Sequence, residues 1–142
     1  MKKVLFLTDH PYYDRVHIDI LKKLSNGDIN VEVYDNPDFV LTNTDKLDEY
    51  DFIITTMFLP VGQILELDEC HQGVKTGVVL LSKIKDKINK TKCILMIESV
   101  SEIDEREYKW CKENGVIVVN NMVAKFDTLY NIIESGNENH RQ

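Results

Sequence analysis

Short polar clusters follow apolar runs at four places in this chain: Thr8, Asp9 and His10; Thr55 and Thr56, then Met57; Glu98 and Ser99; and Asn120 and Asn121. These types allow a limited chemistry. Asp9 with His10 offers a cation ligand and a proton acceptor, and Glu98 can serve a neighbouring hydroxyl as a base. The asparagines can only hydrogen-bond. A nucleophile would have to be Cys70, Ser99 or Thr56 beside such a base. His10 could serve Thr56 and Glu98 could serve Ser99, but no spacing fixes either pair.

A metal site built on Asp9, His10, His17 or Cys70-His71 lacks support from spacing. Adjacent Cys-His is not a zinc-ligand pattern, and His17 falls among the apolar positions of a helix. Asp9 remains the one candidate metal ligand. Cofactor motifs are missing as well. No GxGxxG follows the first apolar run, and no GxxxxGK[ST] occurs, so neither a dinucleotide nor a nucleoside triphosphate is expected. The stretch TDHPYYD also lacks the Ser, Thr and Gly that cradle a flavin phosphate. No cofactor is expected.

The elements that must position these residues are legible from periodicity. VLFLT (4–8), VEVYD (31–35), FIITTM (52–57), CILMIE (93–98) and VIVVN (116–120) read as strands. Four are almost continuously apolar, as strands covered on both faces must be, whereas VEVYD alternates like an edge strand. Helical spacing joins Val16, Ile20, Leu21 and Leu24 in 14–24, stopped by Asn26-Gly27. It also joins Leu80, Leu81, Ile84 and Ile88 in 78–88, and Phe126, Leu129, Tyr130 and Ile133 near the end. Ser101 to Asp104 resembles a capping box opening a helix that ends at Asn114-Gly115. The stretch 36–50 is too polar for a full helix and is expected to be a loop with at most a turn or two.

Strand–helix alternation implies a parallel sheet with helices on both faces. The expected fold is a three-layer α/β/α sandwich with a five-stranded parallel sheet in flavodoxin-like order 2-1-3-4-5. Its ligand crevice lies beyond the ends of strands 1 and 3. Residues 1–136 are expected to form one domain, with 137–142 a polar tail.

Bulk properties narrow the partners. Net charge is −7, which argues against nonspecific nucleic-acid binding. The basic stretch 83–92 alternates with apolar positions and reads as the solvent face and end of a helix. Apolar runs fall well short of the ~20 residues of a membrane span, and the short one near the N-terminus lacks a signal-peptide cleavage pattern. A cytoplasmic location, without membrane partners, is expected. Cys70, Cys93 and Cys111 suggest neither a disulfide framework nor a CxxC site; Cys93 and Cys111 read as small core residues.

Ordered along the chain, these motifs resemble response-regulator receiver domains of the chemotaxis-receiver type. VLFLTDHP is similar to their first strand, which ends in an acidic pair. FIITTMFLP resembles the third, where a phosphoaccepting aspartate stands four residues before a proline. Gly73-Val74-Lys75-Thr76-Gly77 matches the G-x-x-T-G that follows an extended loop in one group of receiver-like proteins, and VIVVNNMVAKFD resembles the fifth strand and the opening of the last helix. The resemblance implies a pocket that holds Mg²⁺ and transfers a phosphoryl group to aspartate. Carried over, the acidic pair becomes Thr8 and Asp9, and the acceptor becomes Thr56. The switch hydroxyl falls on Glu98 beside Ser99, and the lysine on Asn120 or Asn121 with Lys125 nearby.

Such a pocket is degenerate. Threonine cannot form an acyl phosphate, and Glu98 would repel a phosphoryl group by ~4 kcal/mol for unit charges 4 Å apart at an effective dielectric of 20. The resemblance therefore implies a stand-alone signalling domain acting through a protein partner, or as a homodimer, without aspartyl phosphorylation. Tyr108, Trp110, Tyr130 and the 61–77 loop are candidate surfaces, and the loop's ILELDEC either suits a basic partner or packs Ile64, Leu65 and Leu67 back on the fold. Two alternatives stay open. One is a small-ligand or nucleotide sensor using Asp9, His10 and the asparagines; the other is an enzyme built on Cys70, His71 or Glu98.

Overall fold

Alternation of side chains along β1 (Lys2–Leu7) sets the architecture. Val4 and Phe6 enter one core while Leu5 and Leu7 enter another, all with no solvent exposure. This computed structural model describes residues 1–9, 15–125 and 127–136. A strand with two apolar faces needs helices on both sides. α1 (Arg15–Leu24) and α5 (Thr128–Ser135) cover the Val4/Phe6 face. α2 (Asp38–Thr42), α3 (Thr76–Ile84) and α4 (Glu105–Glu113) cover the other.

The remaining strands are β2 (Ile29–Tyr34), β3 (Phe52–Thr56), β4 (Lys92–Ile97) and β5 (Ile117–Asn120). All pairings are parallel, in the order β2-β1-β3-β4-β5. This is the expected three-layer, flavodoxin-like sheet, and alternating β2 does lie at an edge. The chain leaves β1 toward β2 on one side and returns to β3 on the other, so the switch point falls between β1 and β3. No helix among the described residues is long and apolar enough to cross a membrane.

Several local expectations are corrected. In α1 the buried residues are Ile18 and Leu21, whereas Val16 and Leu24 are exposed; the helix is turned so that an adjacent stripe meets the sheet. The 36–50 stretch is more ordered than a loop. It forms α2 and a 3₁₀ segment, Thr44–Glu49, anchored by buried Val40 and Leu47. α3 stops at Ile84 and continues as a 3₁₀ turn, Lys85–Lys87.

The α4 capping box is Asp104 with Glu107, not Ser101 with Asp104. Asp104 accepts from the Glu107 N–H at 2.8 Å, and Glu107 accepts from the Asp104 N–H at 3.0 Å. Upstream, Ser99 accepts from the Ser101 N–H and heads its own 3₁₀ turn, Val100–Glu102. α5 ends at left-handed Gly136, and lysines from β1 and β4 satisfy its last carbonyls. Lys2 donates to the Ile133 carbonyl at 2.8 Å, and Lys92 to that of Gly136 at 2.6 Å. Phe126, expected on the α5 stripe, and the tail 137–142 lie outside the described residues.

Candidate functional site at the C-terminal sheet edge

Parallel pairing brings the expected residues to one edge of the sheet. Thr8 and Asp9 directly follow β1, and Thr56 is the last residue of β3. Glu98 and Ser99 follow β4, Asn120 ends β5 and Asn121 comes next. Thr8 is fully buried, and its N–H donates to the Tyr34 carbonyl at 3.0 Å. His10 lies outside the described residues. His17 is half-buried on α1.

Thr56 is already engaged. Its hydroxyl donates to the Phe58 carbonyl at 2.7 Å, which folds the chain back as it leaves β3. The Thr55 hydroxyl donates to the Thr56 carbonyl at 3.0 Å. These hydroxyls fasten the turn and carry no carboxylate charge. Met57 is buried, with its N–H donating to the Met96 carbonyl at 3.1 Å.

Both glycines of the 73–77 motif have a physical role here. Gly77 opens α3 against the end of β3 and donates its N–H to the Met57 carbonyl at 3.0 Å. A Cβ on Gly77 would overlap the Thr56 carbonyl oxygen and stand 2.9 Å from Met57 Cα. Gly73 closes a left-handed run, with φ of 49° at His71, 57° at Gln72 and 99° at Gly73. Leu59 donates to the Gly73 carbonyl at 3.1 Å, so this turn lies against the chain leaving β3.

The β4–β5 side is a polar network. Asn121 donates its side-chain amide to Glu98 at 3.2 Å, and the Glu98 N–H donates to the Glu102 carboxylate at 3.1 Å. Burial pushes the Glu102 carboxyl above the ordinary range; the Glu98 N–H bond opposes the rise, the Glu98 charge adds to it and Lys75 opposes it. Lys75 ties the 58–74 loop to α4. Its ammonium lies 2.7 Å from both the Glu102 carbonyl and the Glu107 carboxylate. Sequence reasoning placed Lys75 inside the motif without assigning it a contact; a lone lysine before a helix gives no signal of a partner 32 residues onward.

Lys125 is exposed and borders an open depression with Asn120, Val123 and Thr128, beside β5 and α5. Cys70, within the 58–74 loop, is fully buried, and burial raises its thiol pKa. Adjacent His71 is exposed. Among the described residues, no three His, Cys, Asp or Glu side chains gather as a metal site.

No protein-family model matches the chain, and no curated protein matches it in sequence. Solved structures do. The non-phosphorylated receiver domain of the stress response regulator RcsB from Escherichia coli superposes with a TM-score of 0.68 at 16% identity, over 96% of this chain and 95% of that one. A signal receiver domain of a two-component histidine kinase from Clostridium thermocellum gives 0.64 at 18%, over 94% and 95%. The chain has the receiver fold. The isolated receiver domain of RcsB from Salmonella enterica serovar Typhimurium, in the presence of phosphomimetic BeF3⁻, gives 0.62 at 15%, over 96% and 90%. At these identities the likeness is one of receiver fold alone. Within it, the sheet edge carrying Thr56 is the C-terminal edge, where parallel α/β sheets place their ligands.

Proposed function

We propose that this receiver-fold protein is a signalling domain that works by presenting a surface to a protein partner and is not switched by aspartyl phosphorylation. The observation that carries the reading is Thr56 at the end of β3, with its hydroxyl spent on the Phe58 carbonyl. A threonine ester lacks the reactivity of an acyl phosphate, and a single carboxylate at Asp9 is a poor Mg²⁺ cradle. On the opposite side Glu98, held by Asn121, adds negative charge where a phosphoryl group would need a hydroxyl and a cation. Thr8, Ser99, Asn120 and Lys125 complete the degenerate pocket in this reading.

The same reading keeps nucleic acid off the partner list, because the net charge is −7. It leaves pairing of two copies as one form the partner can take. For the enzyme reading, buried Cys70, its thiol pKa raised, is a poor nucleophile.

Incubation with acetyl phosphate and Mg²⁺ tests the proposal. The intact mass is expected to remain that of the unmodified chain. A hydroxylamine-labile phosphoryl adduct would overturn the reading.

A further inference from the structure

The 58–74 loop shows large apolar side chains to solvent although it is firmly held. Leu59, Val61, Leu65 and Cys70 are buried in the core beneath α3. Between them, Phe58 is 47% exposed, Ile64 48%, Leu67 55% and Val74 43%. Backbone bonds fix this display. Leu59 to Gly73 brings the Phe58 and Val74 ends together, and the Gln72 N–H donates to the Leu67 carbonyl at 2.9 Å. At the far end Asp38 receives the Gln63 N–H at 3.0 and 3.1 Å, and a Cβ on left-handed Gly62 would collide with that carboxylate.

The loop's charge has one sign. Glu66, Asp68 and Glu69 lie within it, and 58–74 contains no Lys or Arg. Lys83 pairs with Glu69 at 3.0 Å, and Lys75, just past the loop, is committed to Glu102 and Glu107. Glu66 and Asp68 are exposed among the apolar side chains. An anionic membrane or a nucleic acid would be repelled from such a surface. A cationic chain with apolar residues on one face would find both of its requirements met.

We propose that the 58–74 surface docks a basic amphipathic segment of a partner protein. Ile64, Leu67 and Phe58 take its apolar side chains, and Glu66 and Asp68 face its lysines or arginines. This deepens the protein-interaction reading above and rests on it. Because the loop is held in place by the bonds above, docking costs little ordering entropy on this side.

Site-specific photo-cross-linking tests it. A benzophenone side chain is introduced in the full-length protein at Ile64, Leu67, Met122 or Val123, one site at a time, in cells that naturally make it. The last two, 73% and 79% exposed, sample the end of β5. The expected result is a defined adduct from position 64 or 67 whose partner peptide, identified by mass spectrometry, is net positive with apolar residues three or four apart. Glu66→Lys with Asp68→Lys should lower its yield about tenfold or more while circular dichroism stays unchanged. An adduct only from 122 or 123 would overturn this surface and leave the protein-interaction reading standing. So would an adduct indifferent to charge reversal, one with an acidic peptide, or one with a second copy of this chain. No adduct from any position would count against both.

Discussion

Gly77 sets how closely α3 approaches the end of β3, because any side chain there meets the Thr56 carbonyl and Met57 backbone. Backbone cannot yield as a flexible side chain can. Gly77→Ala is expected to cost about 1–3 kcal/mol by overpacking, read as a lower urea midpoint at unchanged m-value. At the same scale burial pushes the Cys93 and Cys111 thiols up to about 11. Both should resist iodoacetamide at pH 8 in the native protein and react once it is unfolded. Raised thiol pKa values contribute stability that is fully present below the ordinary value of 9.0 and lost as pH rises toward 11. Rapid native-state labelling of either thiol would contradict the burial.

At the scale of elements, long-range polar bonds decide what local sequence leaves open. Asp48, in the 3₁₀ segment after α2, accepts from the backbone N–H groups of Asn89, Lys90 and Thr91 at 2.8 to 3.2 Å and so holds the turn into β4. The Lys90 N–H, followed by those of Asn89 and Thr91, lowers its carboxyl pKa. A depressed carboxylate contributes stability present above its unfolded value of about 3.9 and lost as pH falls through the lower folded value. Amide exchange at 89–91 should therefore stay slow until below the ordinary aspartate range, and Asp48→Ala should make it fast at all pH values. Unchanged exchange in that variant would remove Asp48 as the clasp.

That contact also shows why 36–50 was hard to read. Its short helices rest on Val40, Leu47, Asp38 and Asp48 meeting distant segments, and no local periodicity records this. The α4 box was displaced for a related reason. Two overlapping Ser/Asp-x-x-acid patterns compete, and only the second has a glutamate able to reach back to the cap. The strands were legible because burial on both faces leaves a continuous apolar run. The four polar clusters were legible because parallel strands must all end at one edge.

At the scale of the molecule, the receiver fold separates scaffold from chemistry. The sheet order and the two helix layers are those of the receiver fold, while the end of β3 carries a threonine tied into its own turn. That β3 ends on a threonine was plain in the sequence. What Thr56 bonds to was not, because its partner is a backbone carbonyl in a loop of no regular period. The direct test of the proposal that this domain signals without aspartyl phosphorylation is an amide NMR titration of the wild-type chain with Mg²⁺ and then beryllofluoride, with Thr56→Asp alongside. The account predicts no localised shifts in wild type and Mg²⁺-dependent shifts near Asp9 in Thr56→Asp. Shifts centred on Asp9 and Thr56 in the wild-type protein would contradict it.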